Sequence, residues 1–587
     1  MIKLIGVRKE FLKESSFKNL FYHYTHIKTP QKITALEDVN LTIHRNSIVG
    51  IFGENGAGKT TLLKIICGII VPDKGEVLIE GLSPLHSEAR QKIGVVWGVE
   101  RSFWWRLSGR ENLLFFGRLY GLNVSTIEER IKKFEKILEL DSLDKEFYKY
   151  SSGMRQKLNL LRALLHYPEI LILDEPTLNL DVFTRKKFID FIKLFKNKHS
   201  LTVIWVSHRL EEIKDICEEV VILSKGRIRW QGNIEEFKEK FFKRSYLIEF
   251  EDYKCKKVSS LKEMSASDIN RVKKIQLQEE FVLPSGIEYS LLTTTQSNMS
   301  GKISFSKNKF LDFSKIRQNL NIALSFLKKD FKEELSYKFS FFLNILGIVF
   351  WCLSFYFISK LFSANIPQYI KLYSPDYFSF ALVGIAFVWY IHASFTSFSN
   401  ILSTSQVLGT LEQVLLSPLS VGMYLFSSVL WPFVFTSFEV FLYGLAGLLL
   451  GVKLSLNLAG LVGIFIIFIL SIGIFSSLGI ISASFIMVFK RGNPLTWIVG
   501  GITGFLSGVY FPVEILPSWL QNISFFIPLT YALQGIRYAL FKNFSLLQLL
   551  SFIWPLFLFL VVLFPASIWI FKVSLYQAKK TGTLAFY

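Results

Sequence analysis

Residues 53–60 read GENGAGKT, and their types and spacing suit one kind of chemistry. Glycines at 53, 56 and 58 leave the backbone free to curve around an anion and aim N–H groups at it. The helical pattern that begins at Thr60 brings the positive end of a helix to the same point. Lys59 can reach the outer phosphates of a nucleoside triphosphate, and the Thr60 hydroxyl suits Mg²⁺. Asn55 and Thr61 complete the loop. A second stretch, EILILDEPT at 169–177, sets two carboxylates at the end of an apolar run. Asp174 is expected to hold Mg²⁺ through water, and Glu175 to polarise an attacking water. The second stretch alone also reads as a buried strand followed by solvated acids. Together they describe a site that hydrolyses a nucleoside triphosphate.

Such residues need elements to position them. Ser47–Phe52 is a short apolar run, as expected of a buried parallel strand, and Thr60–Ile70 has helical periodicity. Further along, YSSGMRQK at 150–157, LNLD at 178–181 and IWVSHRLEE at 204–212 follow in order. With these, residues 1–235 resemble the ATPase subunit of an ABC transporter. Ser151 and Gly153 match the Ser and second Gly of that family's signature loop, usually LSGGQ; Ser152 and Met154 depart from it. Ser151 and Ser152 would equally suit a plain helix N-cap. Asp181 matches the acid of the D-loop, His208 the switch histidine, and Phe11 the aromatic that stacks on adenine. The resemblance implies an α/β P-loop domain with a helical subdomain at about 100–165, ATP and Mg²⁺ as cofactors, and His208 sensing the γ-phosphate beside the catalytic Glu175. It also implies head-to-tail pairing, in which Ser151, Ser152 and Gly153 touch the nucleotide held by another copy.

The sequence departs from that family in two places. Val99 stands where a Gln normally contacts Mg²⁺ and reports to the membrane domain. Either the neighbouring Glu100 supplies an oxygen instead, or water fills the position. An insertion at 12–33 separates the first strand from ALEDVNLTI. Its Phe17, Leu20, Phe21 and Tyr24 suit one face of a helix, packed either on its own domain or near the cytosolic gate of a membrane domain.

The composition is split. The chain has 587 residues, 51% of them hydrophobic, and a mean hydropathy of +0.36. Residues 338–587 contain eleven Lys or Arg and four Asp or Glu, whereas the charged residues of the rest are scattered through residues 1–337. This predicts a soluble front half and a membrane back half. The net charge of +20 is spread without blocks, and no nucleic-acid motif accompanies it; a basic face toward an anionic leaflet accounts for it better. The four cysteines lack metal-like spacing and read as reduced thiols. MIKLIGVRKEF carries no apolar signal run, so the first domain is expected in the cytoplasm.

Residues 238–320 are expected to form a small cytosolic subdomain and linker, with strands at 245–251 and 287–295, serving either to brace a dimer or to regulate it. Residues 321–338 suit an elbow helix on the membrane surface, with Leu324, Phe331 and Leu335 in its apolar stripe. Six apolar stretches follow, near 339–362, 378–400, 421–450, 459–488, 495–513 and 549–572, predicting an all-α six-span domain. GTLEQVLLSPLS at 409–420 and the proline-broken segment 507–540 make 321–587 resemble the ABC-2 type permeases. In that resemblance, 409–420 caps the ATPase as a coupling helix. The order implies a half-transporter of the cytoplasmic membrane, pairing with itself or with a paralogous half-transporter.

Two polar residues lie deep in the spans, Glu439 and His392. Each is either a candidate membrane polar site or a packing residue with a hydrogen bond. The expected activity is ATP-driven export of an amphipathic or hydrophobic substrate, with a lipid-linked glycan as the alternative cargo. The outer loops are short, which argues against a signalling or mechanical ATPase without cargo.

Overall fold

The computed structural model describes residues 1–12, 32–98, 102–140, 142–178, 180–250, 255–258, 272–281, 313–361, 368–455, 457–489 and 494–584. Val99, Glu100, the central part of the 12–33 insertion and the expected strand at 287–295 lie outside these described residues.

The chain opens with strands β1 (Ile2–Leu12), β2 (Lys32–Ile43), β3 (Ile48–Phe52), β4 (Lys74–Ile79), β5 (Ile93–Val96), β6 (Ile170–Asp174), β7 (Thr202–Ser207), β8 (Glu219–Ser224) and β9 (Arg227–Asn233). Six of these form a sheet in the order β5-β6-β7-β3-β8-β9. Its pairs are parallel except for the antiparallel edge β8–β9. The runs ILILD and TVIWVS are buried throughout, because a parallel sheet is covered on both faces. An antiparallel sheet, β2-β1-β4, lies over helix α1 (Lys59–Ile66), whose Leu62, Leu63 and Ile66 share a core with Ile2, Val39 and Ile172.

Helices α2 (Gly109–Leu119), α3 (Val124–Leu138) and α4 (Ser152–Leu164) form a helical layer within the expected range, packed around Phe115, Phe134 and Leu158. Ser108 starts α2 with a reciprocal capping box to Glu111. A third sheet, order β11-β10-β12, joins β10 (Phe242–Phe250), β11 (Cys255–Val258) and β12 (Val272–Phe281). The expected strand at 245–251 thus falls on β10.

Helix α5 (Phe313–Ser336) is longer than the expected elbow and starts earlier. Its Phe326 meets Phe115 of α2 with ring centroids 4.9 Å apart, Lys329 lies 4.8 Å over Trp104, and Lys332 pairs with Glu111. One face therefore packs on the ATPase half, while Leu324, Phe331 and Leu335 stay exposed. Then come α6 (Lys338–Leu361), α7 (Tyr377–Val407), a short α8 (Thr410–Leu416), α9 (Val421–Leu449), α10 (Leu458–Phe489), α11 (Pro494–Leu506), α12 (Ser518–Ser524), α13 (Pro528–Phe541) and α14 (Leu546–Thr581).

Among the described residues, five helices are long and apolar enough to cross a membrane: α6, α7, α9, α10 and α14. The fifth expected span differs. Its helix, α11, has 13 residues, about 20 Å at the α-helical rise, short of the ~30 Å of hydrocarbon. It gives way to a turn at Gly508 (φ +78°) and then to the short segments around Pro512 and Pro517. The last helix departs the other way. The 36 residues of α14 reach about 54 Å, so its C-terminal turns run on to the ATPase half. There Lys579 Nζ donates to the Gly68 carbonyl at 2.9 Å, Val71 N donates to the Lys579 carbonyl at 3.1 Å, and the buried Lys9 amine donates to the Lys580 carbonyl.

Candidate nucleotide site

The parallel strands β3, β6 and β7 end side by side, and the chemistry-bearing residues sit at those ends. Phe52 pairs with Ser207, and Asp174 with Val206. The register therefore brings the glycine loop after β3, Asp174 and Glu175 at the end of β6, and His208 after β7 to one rim, the usual ligand edge of such sheets.

The loop is held open by lack of side chains. A Cβ on Gly53 would lie 2.2 Å from the Leu223 carbonyl oxygen. Gly58 has φ +103°, and a Cβ there would lie 2.5 Å from the Ala35 carbonyl oxygen. Lys59 Nζ folds back onto the loop, donating to the carbonyls of Gly53 at 2.6 Å and Glu54 at 3.0 Å. Burial lowers its pKa from the usual lysine value, with Glu175 and Asp174 opposing that shift. Thr60 Oγ1 donates to Asp174 Oδ2 at 3.2 Å. Asp174 is 8% exposed, and burial pushes its carboxyl up to about 6, with the Thr60 hydrogen bond acting against the shift.

Glu175 occupies the left-handed region, φ +49°, with its N–H donating to the Val206 carbonyl at 2.9 Å. Its Oε1 accepts from the His208 backbone N–H at 3.1 Å and lies 2.8 Å from His208 Nδ1. Behind this rim the buried Glu212 accepts from Thr177 Oγ1 at 2.5 Å and Ser207 Oγ at 2.9 Å, tying the segment after β6 to the end of β7. A cavity of about 930 Å³ opens over the rim, lined by Asn55, Gly56, Gly58, Lys59, Thr60, Thr61, Asp174 and Glu175. Phe11 lines it too, with Gly582 close against its ring and the buried Leu584 beside it.

Ser151, Ser152 and Gly153 do not line this cavity. Ser151 caps α4, accepting from Met154 N at 3.3 Å, and both serines are exposed. Asp181 caps the helix Val182–His199, accepting from Thr184 N at 2.9 Å. In the membrane half, His392 is exposed beside Trp389, and Glu439 has no hydrogen bond or ion pair among the described residues.

The membrane half also reaches the cavity, which goes beyond the capping of the ATPase expected of 409–420. Gln406, Val407, Gly409, Leu411 and Glu412 line it. Glu412 pairs with Lys64 at 2.9 Å, each about one-seventh exposed, and Lys64 lies on α1 one turn beyond Thr60. Arg90 Nε donates to the Ser417 carbonyl at 3.3 Å, and Leu416 is buried in the ATPase core. The resemblance of 409–420 to a coupling helix was the available signal; Lys64 lies outside any motif.

Two family models match in chain order. Residues 36–178 match the ABC transporter model, and residues 324–541 match the ABC-2 type transporter model. The ABC transporter ATP-binding protein NatA of Bacillus subtilis (strain 168) is 38% identical over 210 residues, covering 35% of this chain and 85% of that protein. The linearmycin resistance ATP-binding protein LnrL of the same organism is 32% identical over 200 residues, covering 34% of this chain and 64% of that protein. A dimeric ATP-binding cassette solved in a post-hydrolysis state with ADP and Pi is 25% identical, covers 40% of this chain and 99% of that one, and has a TM-score of 0.35. The chain belongs to the ABC transporter family: its ATP-binding, ATP-hydrolysing domain precedes an ABC-2 type membrane domain in one multi-pass polypeptide, and hydrolysis is coupled to transport.

Proposed function

We propose that the chain is a half-transporter that exports an amphipathic or hydrophobic substrate across the cytoplasmic membrane as a homodimer, with its ATPase domain in the cytoplasm. The observation that carries this reading is the seating of α8 on the cavity wall, with Glu412 on Lys64 and Leu416 in the ATPase core. A movement of the nucleotide rim then has a rigid path to the spans. Export is supported by the name of LnrL, a resistance protein.

In the proposed mechanism the loop N–H groups and Lys59 hold the ATP phosphates. Thr60 and Asp174 fit Mg²⁺, because both offer oxygen at one point and the Asp174 carboxyl is buried there without a salt-bridge partner among the described residues. Bound there, the ion would neutralise charge building on the phosphates. Glu175 orients and polarises the attacking water. His208, held on Glu175, is placed to contact the γ-phosphate. Ser151 and Ser152, exposed, and the half-buried Gly153, none of which lines its own cavity, serve the nucleotide of the second copy. Exposed Leu178, Val182 and Phe183 beside Asp181 support that pairing as an apolar face for the partner.

The test is ATP turnover by the protein in lipid bilayers, wild type beside Glu175→Gln, with amphipathic drugs and lipid-linked glycans supplied as separate panels. The reading predicts basal turnover that the substitution abolishes and that one cargo panel raises. Turnover that no cargo stimulates would overturn the export reading. Absence of Glu175-dependent turnover in the homodimer would overturn self-pairing.

A further inference from the structure

Helix α5 meets the ATPase half at two places and leaves a gap between them. Near its start it crosses Gly121 (φ +79°), where a Cβ would lie 2.3 Å from Gln318 Nε2. About 21 Å further along the helix, Lys332 pairs with Glu111. In this stretch a cavity of about 230 Å³ lies between α5 and α2, with Leu107, Leu114 and Phe115 on the ATPase side and Leu324 on the α5 side. It shares no residue with the nucleotide cavity.

The charged residues of this cavity are four cations, Arg118, Lys328, Lys329 and Lys332, and one acid, Glu111. Two of the cations are matched, Lys332 by Glu111 and Lys329 by Asp330. Arg118 Nη1 donates to the Leu122 carbonyl at 3.2 Å, and neither Arg118 nor Lys328 has a carboxylate partner among the described residues. Lys328 is exposed and Arg118 half-buried. An apolar hollow bordered by two unmatched cations fits an anionic amphiphile, with a chain for the hollow and a phosphate for the cations.

The setting of α5 selects the source of that amphiphile. Through Tyr337 the helix runs directly into α6, the first span. Phe331 meets Trp431 of the spanning helix α9 with ring centroids 5.3 Å apart. Ile316, Leu320, Leu324, Phe331 and Leu335 are exposed and recur at helical spacing, so an apolar stripe follows one face of α5. Lys328 lies in that face, and it and Leu324 belong to both the stripe and the cavity. An apolar stripe that holds a lysine, next to the first span, suits the headgroup level of a membrane. The cavity is smaller than the ~300–1,000 Å³ usual for whole small molecules, so it takes one chain of a larger amphiphile.

We propose that this cavity binds one acyl chain of an anionic phospholipid, from the leaflet that faces the ATPase half, with the lipid phosphate on Lys328 and Arg118. A lipid held there bridges α2 of the ATPase half to the helix that leads into the first span. The site does not depend on the export reading or on the nucleotide chemistry.

The experiment uses the full-length protein in nanodiscs of phosphatidylcholine with a trace of phosphatidylglycerol that carries a diazirine on its acyl chain, and maps the photolabelled peptides. Labelling is expected on residues 111–124 and 318–332. Unlabelled phosphatidylglycerol should displace it, and added phosphatidylcholine or inorganic phosphate should not. Lys328→Gln should lower it about fivefold, the equivalent of ~1 kcal/mol for one basic side chain facing anionic lipid. Lys338→Gln removes a charge at the start of α6, outside the cavity, and should change it less than twofold. Ser325→Phe fills the cavity with every charge in place and should abolish it. Equal effects of Lys328→Gln and Lys338→Gln would reduce the site to general attraction between basic residues and the membrane, and would overturn the proposal. Competition by inorganic phosphate would leave an anion site without a chain, and displacement by an amphipathic drug but not by phosphatidylglycerol would make it a cargo site; either result overturns the proposal. The Tm of each variant reports its folding, and should Ser325→Phe not fold, the comparison of Lys328→Gln with Lys338→Gln decides alone.

Discussion

The two halves of the chain differ in how many of their buried polar groups are tied to partners. At the nucleotide rim, Thr60, Asp174, Glu175 and His208 engage each other within 3.2 Å, and Glu212 behind them is satisfied by Thr177 and Ser207. In the membrane half, Arg537 is held by its two terminal nitrogens, while its buried Nε has no partner among the described residues. It is 2% exposed and donates to the carbonyls of Gly508 at 2.7 Å, Phe380 at 2.9 Å and Val509 at 3.1 Å. Glu439 and His392 have no such setting. Arg537 thus pins α13 to α7 and the turn after α11, whereas Glu439 is half-buried and His392 exposed, neither side chain with a hydrogen bond among the described residues. A polar residue's sequence environment does not separate these cases; the carbonyls around it do.

The largest expected effect breaks the rim. Glu175→Gln should lower ATP turnover at least 100-fold, the usual scale for losing a general base, while nucleotide binding persists. Comparable turnover in the variant would remove Glu175 from the chemistry. Next in size is a pH effect. Burial raises the Asp174 carboxyl to about 6, so the ordinary carboxylate has become easier to protonate in the nucleotide-free site. Above pH 6 the ionised form is ready for Mg²⁺; below it a proton must leave first. Mg²⁺ affinity, titrated by nucleotide fluorescence, should therefore fall by about tenfold per pH unit below 6. A flat profile from pH 7 to 5 would contradict the buried environment described.

The path between the halves is sharpened by Glu412→Lys, which sets two ammonium groups together at Lys64. Transport should fall about tenfold or more, with basal turnover within about threefold, because Lys64 lies beyond the phosphate-binding residues. Equal losses of both would show that α8 shapes the site rather than reports on it. Arg537→Met addresses stability alone. Leaving three carbonyls without their donor should cost about 3 kcal/mol, read as a lower Tm in detergent with turnover per folded molecule retained. The smallest effect belongs to Glu439→Gln, expected to shift Tm by no more than about 0.5 kcal/mol would. A large destabilisation would mean that Glu439 has a structural partner after all.

Much of the ATPase half was legible because its chemistry is local. GENGAGKT places backbone, lysine and hydroxyl within eight residues, and ILILD ends on its carboxylate, so position along one strand or loop nearly specifies position in the site. The spans were legible by the same logic, since an apolar run long enough to cross hydrocarbon must form a helix. In the fifth apolar stretch the described helix ends before the apolar run does, because residues 507–513 are apolar yet leave the helix at Gly508. Composition reports solvent preference, and only backbone conformation reports where the helix stops. The 313–336 helix shows the same limit: its exposed stripe was read from periodicity, but its other face, with Phe326, Lys329 and Lys332 on the ATPase half, needed the partner surface.

By itself the sequence determined which residues can bind phosphates and which segments must lie in a membrane, because both follow from groups close together in the chain and from transfer of apolar side chains out of water. Tertiary structure decided everything that joins residues hundreds of positions apart: Lys64 to Glu412, Gly68 to Lys579, and Gln406 to the cavity of residues 53–61. Those contacts depend on where α7, α8 and α14 end relative to the sheet rim. That is set by the packing of whole helices, a sum of many weak contacts that no single stretch of sequence contains.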